Sequence, residues 1–134
     1  MLHRAFAAVF VMLLLFATGC AASQQADPAS SVAQPNKEFD ISITPGPAIS
    51  LKENKLVLAL TAEQQQVWGN ATVSVKLGMD GMEHGEEAVA AQSKGEGRYE
   101  ATVIPTMVGP WIAHITISGD QGEKQVEFPF EAVR

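Results

Sequence analysis

Apolar and polar residues alternate with period two through most of the chain beyond residue 37. Phe39, Ile41 and Ile43 are interleaved with Asp40, Ser42 and Thr44, and Val73, Val75 and Leu77 with Thr72, Ser74 and Lys76. Tyr99, Ala101 and Val103 alternate with Arg98, Glu100 and Thr102. Trp111, Ala113, Ile115 and Ile117 alternate with Ile112, His114 and Thr116, and Val126, Phe128, Phe130 and Ala132 with Gln125, Glu127 and Glu131. Successive side chains of a strand point to opposite faces, so each run predicts a strand with one face in a core. Leu56, Leu58 and Leu60 enclose Val57 and Ala59, which predicts a strand apolar on both faces.

The breaks between these runs are turn chemistry. Pro45-Gly46-Pro47 ends the first, Gly78, Gly81 and Gly85 interrupt another, and Lys94-Gly95-Glu96-Gly97 and Gly119-Asp120-Gln121-Gly122 read as tight turns. Six clear strands, with a short seventh around Ala88–Gln92, predict an all-β fold. The expected architecture is an immunoglobulin-like antiparallel β-sandwich of about seven strands. Ala62–Val67, which follows Thr61 and carries Glu63 in its first turn, reads equally as a short helix or as a turn. Pro129 lies inside the last run, which puts that strand at a sheet edge or on a bulge. Trp111 falls in phase with Ala113 and Ile115 and belongs to the core, whereas His114 faces outward.

The N-terminus follows other rules. His3 and Arg4 precede an apolar run from Ala5 to Phe16, and the small residues Ala17-Thr18-Gly19 precede Cys20, the single cysteine. A basic n-region, an apolar h-region and small residues at a cleavage point make a secretory signal over residues 1–19. The apolar run is too short for a transmembrane helix, which needs about 20 residues. A cysteine directly after the small residues resembles the bacterial lipobox, which implies lipidation at Cys20. Residues 20–36 hold two prolines and many small polar residues without apolar period, the composition of a disordered tether. One domain is expected at 37–134. Cell-membrane localisation, lipid-anchored on the extracytoplasmic face, follows from the signal.

The chain holds nine Lys and Arg against fifteen Asp and Glu, and loses Arg4 with the leader. Such an acidic balance excludes nucleic acid as a partner, because phosphate binding depends on basic side chains. It also leaves membrane attachment to the acyl chains on Cys20. With that thiol modified, no disulfide is available and the apolar core alone holds the domain.

Chemistry concentrates in Met79-Asp80-Gly81-Met82-Glu83-His84-Gly85. Thioethers favour Cu(I), and imidazole binds copper and several other metals. The competing reading makes Met79 and Met82 adaptable apolar fillers at the end of the sandwich. Asp80, Glu83, Glu86 and Glu87 match no Ca²⁺ loop and read as a solvated acidic stretch. Met107, shortly before Trp111, lies on a connection able to fold toward the Met79–His84 loop. No G-x-S-x-G, phosphate-cradling glycine loop or paired-carboxylate constellation is present, so an enzyme is not expected.

The order of Val75-Lys76-Leu77, the Met79–Gly85 loop, Gly97-Arg98-Tyr99-Glu100-Ala101 and Met107-Val108-Gly109-Pro110-Trp111 resembles the YtkA-like family, related to FixH-like proteins, over about Phe39–Val133. The resemblance implies an extracytoplasmic immunoglobulin-like domain, in many members a lipoprotein. FixH-like relatives are associated with copper supply to respiratory oxidases. Met79, Met82 and His84, with Met107 and Trp111, are the positions carried over. Where such loops commonly read Met-Pro-x-Met-x-His, Asp80-Gly81 stands here. The expected function is a lipid-anchored module that holds or delivers Cu(I) through Met79, Met82, His84 and Met107. The alternative is a metal-free interaction domain that docks a membrane partner such as an oxidase or transporter subunit.

Overall fold

A computed structural model describes residues 32–35, 38–79 and 87–134. The expected signal at 1–19, Cys20, Met82 and His84 lie outside the described residues. Two five-stranded sheets face each other. One is ordered β1 (Val32–Pro35), β2 (Asp40–Thr44), β4 (Asn54–Ala59), β8 (Arg98–Val103), β7 (Gln92–Gly95). The other is ordered β3 (Ala48–Ile49), β10 (Gly122–Val133), β9 (Gly109–Gly119), β5 (Thr72–Gly78), β6 (Val89–Ala90).

The all-β sandwich is therefore present, with a larger strand inventory than the alternation predicted. Among the described residues ten strands stand where about seven were expected, because β1, β3 and β6 are too short or too polar to show a period, and the segment around Ala88–Gln92 divides into β6 and β7 on different sheets. One pairing departs from the antiparallel pattern: β3 runs parallel to β10, with Ala48 opposite Ala132 and Ile49 opposite Val133. Val32–Pro35, inside the stretch expected as a tether, pairs with β2, Val32 standing opposite Ile43.

The alternation maps directly onto burial. Ile41, Ile43, Leu56, Leu58, Val73, Val75, Ala113, Ile115 and Ile117 are all at most 1 % exposed, and they fill the space between the sheets. Val57 is buried too, so β4 is apolar on both faces as its sequence suggests. Trp111 lies in the core. Pro129, opposite Ile112, needs no ladder partner on its other side, because β3 pairs with β10 only at Ala132 and Val133. Along the rest of its length β10 is a sheet edge, where a residue without an N–H is tolerated.

α1 (Ala62–Trp68) closes one end. Its first turn is a capping box: the Thr61 hydroxyl accepts from the Gln64 N–H at 3.3 Å, and the Gln64 side-chain carbonyl accepts from the Thr61 N–H at 2.8 Å. No residue of α1 is buried outright, but Trp68 packs on the core, and the buried Tyr99 donates its hydroxyl to the carbonyls of Trp68 and Gly69. The β7–β8 turn fits beneath the helix because Gly97, at φ +72°, has no Cβ where the Gln65 side chain lies.

Candidate functional site

Strand directions decide which sequence-distant residues meet at the end opposite α1. Asn54 stands opposite Val103, so β4 begins where β8 ends. Gly78 stands opposite Ile112 and Ala132 opposite Gly109, so β5 and β10 end where β9 begins. Two backbone bonds fasten the β3–β4 connection at this end: the Ser50 N–H donates to the Val133 carbonyl at the end of β10 at 2.7 Å, and the Leu51 N–H to the Pro105 carbonyl beyond β8 at 2.8 Å.

Met79 leaves β5 in the inward phase of Val75 and Leu77, half-buried and packed on the core. Its terminal methyl lies 3.4 Å from where a Cβ on residue 109 would be. Gly109, at φ +127°, is thus the position at which the β8–β9 connection admits the thioether side chain. That connection is tied down by Trp111, whose indole N–H donates to the Met107 carbonyl at 2.9 Å. A buried indole needs such a partner, and here the partner turns the chain sharply and leaves the Met107 side chain exposed. Met79 and the Met107–Trp111 segment therefore share one end of the sandwich, Met79 from the inside and Met107 from the solvent side.

His114 lies on the other face of the sheet from Met79, its Nε2 3.3 Å from where a Cβ on Gly78 would be. It is exposed on the outer face of β9, cross-strand from Lys76, with its Nδ1 3.4 Å from a Glu127 carboxylate oxygen. Among the described residues no group of three or more His, Cys, Asp and Glu is arranged to hold a metal ion. Among the described residues, the thioethers that this end carries are those of Met79 and Met107.

Asn54 is the residue that periodicity could not reveal. It is the buried polar side chain among the described residues, fully enclosed. Its Oδ1 accepts from the Ile49 N–H at 2.7 Å, and its Nδ2 donates to the carbonyls of Ile49 at 2.9 Å and Lys52 at 2.8 Å. An asparagine that satisfies backbone groups on both sides of a turn holds the β3–β4 connection in place. The only signal in sequence is its position after Leu51-Lys52-Glu53, ahead of an apolar strand.

The model of the YtkA-like family matches residues 33–116, more than half of the chain. The chain belongs to the YtkA-like family. The match begins in β1, covers the end that carries Met79 and Met107, and stops within β9, before β10. No curated protein matches this YtkA-like chain. A solved structure similar to it is the PmoD soluble domain from Methylocystis sp. ATCC 49242 (Rockwell), at 10% identity and a TM-score of 0.49, over 78% of this chain and 98% of that one.

Proposed function

We propose that this YtkA-like domain is a lipid-anchored, extracytoplasmic binding module that holds Cu(I), or passes it on, rather than an enzyme. The observation that carries the reading is the approach of the Met79 methyl to Gly109, which brings the start of the methionine loop against the Met107–Trp111 segment. Met82 and His84 follow Met79 by three and five residues in the chain, within reach of the same end. Met79, Met82 and Met107 would supply neutral sulfur donors and His84 an imidazole. Thioethers bind Cu(I) without losing a proton, and they compete well where thiolates are absent.

Anaerobic titration with Cu(I) of the domain starting at residue 32 tests the reading. Met82→Leu preserves volume and removes sulfur, so it should weaken binding at unchanged stability. Replacing Met79 and Met82 by Leu together with His84→Ala should abolish binding, and Zn²⁺ should bind the wild type poorly. Undiminished Cu(I) affinity in the triple variant would make the loop structural and favour the metal-free docking reading. The anchor has its own test: Cys20→Ser should remove the acyl label and release the protein from membranes.

A further inference from the structure

We infer that the end of the sandwich bearing Leu51, Ile104, Met107, Val108 and Val133 lies against the phospholipid surface; the inference rests on the anchor at Cys20 proposed above. Seven large apolar side chains are conspicuously exposed among the described residues, and these five share this end. They come from the β3–β4 connection, the β8–β9 connection and the last residue of β10, which are distant in sequence. The Ser50–Val133 and Leu51–Pro105 backbone bonds tie these three segments together, so the apolar side chains share one surface.

Leu51 is the most exposed of them, at 71 %, and its backbone sits at φ +58°. A bulky residue rarely adopts that left-handed conformation, which disfavours it by about 1–2 kcal/mol. The turn nonetheless holds an exposed leucine there, braced from within by Asn54. Strain of this kind concentrates where a surface is used.

The position of the chain's N-terminal side selects the occupant. β1 runs antiparallel to β2, and its first residue, Val32, stands opposite Ile43, at this same end. Two inter-strand spacings, about 10 Å, separate β1 from β4. The twelve chain steps from Cys20 to Val32 allow an r.m.s. span of roughly 17–21 Å for a sequence of this small, polar composition. An acylated Cys20 therefore holds this end near the bilayer, and the opposite end, with α1, away from it. Lys52 and Arg134 flank Leu51 and Val133, with Glu53 and Glu131 the nearest acids in sequence. Lysine and arginine stems on an apolar rim suit the interface between acyl chains and headgroups. The methionine-bearing end would then meet a membrane-embedded partner without the domain turning over.

The test uses the full, acylated chain in vesicles of phosphatidylethanolamine and phosphatidylglycerol, with no other protein present. With Cys20 acylated, an introduced cysteine is the single free thiol and accepts a polarity-sensitive fluorophore. At Val108→Cys the emission should shift to the blue and be quenched severalfold by nitroxide lipids. At Gln121→Cys, on the far end, neither change should occur. Adding Leu51→Ser and Ile104→Ser should return the 108 probe to an aqueous spectrum while the protein stays on the vesicles. Mass spectrometry of the N-terminal peptide separates the two ideas. An acylated peptide with both probes in water would overturn the orientation alone, and an unacylated peptide would overturn the anchor and the orientation with it. A blue shift at 108 without lipid quenching would mean that a second copy of the chain covers the patch, which also overturns the inference.

Discussion

At the scale of single residues, neighbours on β9 have opposite roles because a strand turns successive side chains to opposite faces. Trp111 is buried between the sheets and anchors the Met107 carbonyl, so Trp111→Ala removes both a large apolar body and a turn-forming hydrogen bond. Deleting a buried aromatic costs about 3–5 kcal/mol. In a small domain whose total stability is about 5–15 kcal/mol, that loss should reduce the folded fraction measurably. His114→Ala, on the solvent face, should cost less than about 1 kcal/mol despite the Glu127 contact. Urea denaturation of the two variants checks the pair. Equal midpoint shifts would contradict the assignment of faces.

At the scale of elements, α1 shows how seven residues hold a helical form that they would not keep alone. The capping box satisfies orphan donors at its start, the Gln64 side chain also donates to the Glu38 carbonyl, and Tyr99 meets its final carbonyls. Glu63, in the first turn, accepts from its own backbone N–H and from the Thr61 side chain, and these hydrogen bonds hold its carboxyl below the usual glutamate range. A carboxylate whose folded pKa is lowered stabilises the folded state above its unfolded value, and that contribution disappears as pH falls through the folded value. Acidification should therefore loosen the N-terminus of α1 below the ordinary glutamate range. Thr61→Ala should raise the Glu63 midpoint in an NMR titration and destabilise the domain by about 1 kcal/mol. An unmoved midpoint would mean that the hydroxyl does not hold the carboxylate.

At the scale of the whole molecule, the two ends of the sandwich are specialised and separated by the length of β8, six residues or about 20 Å. Asn54 organises the end with the methionines and the exposed apolar side chains, and Tyr99 the end with α1. Asn54→Ala leaves the Ile49 N–H and carbonyl without their partner and should cost about 1–3 kcal/mol. Tyr99→Phe removes only the hydroxyl and should cost about 0.5–1.5 kcal/mol. Sites this far apart without shared partners add to within about 0.5 kcal/mol, so the double variant should lose the sum in one cooperative transition. Strong non-additivity in thermal or urea unfolding would show that the ends communicate through the core.

What the sequence determined by itself is the set of residues that lie inside. Period two in Phe39–Ile43, Val73–Leu77, Tyr99–Val103, Trp111–Ile117 and Val126–Ala132 is a local consequence of strand geometry, and each of those runs buries its apolar face. Tertiary structure decided which ends meet. The parallel pairing of the two-residue β3 with β10, the division of the segment around Ala88–Gln92 between two sheets, and the pairing of Val32–Pro35 with β2 have no periodic signature, because such short elements are held by their neighbours. The candidate site divides the same way. Met79 and Met107 stand out in the sequence as residue types with soft-donor chemistry, but Gly109 as the point where Met79 approaches depends on the β5–β9 register. Asn54 and the exposed Leu51 depend in turn on backbone groups of Ile49, Lys52 and Pro105, which only folding brings to them. Periodicity carries information about one strand at a time, whereas a site at the end of a sandwich is made by hydrogen bonds between chain segments far apart in sequence.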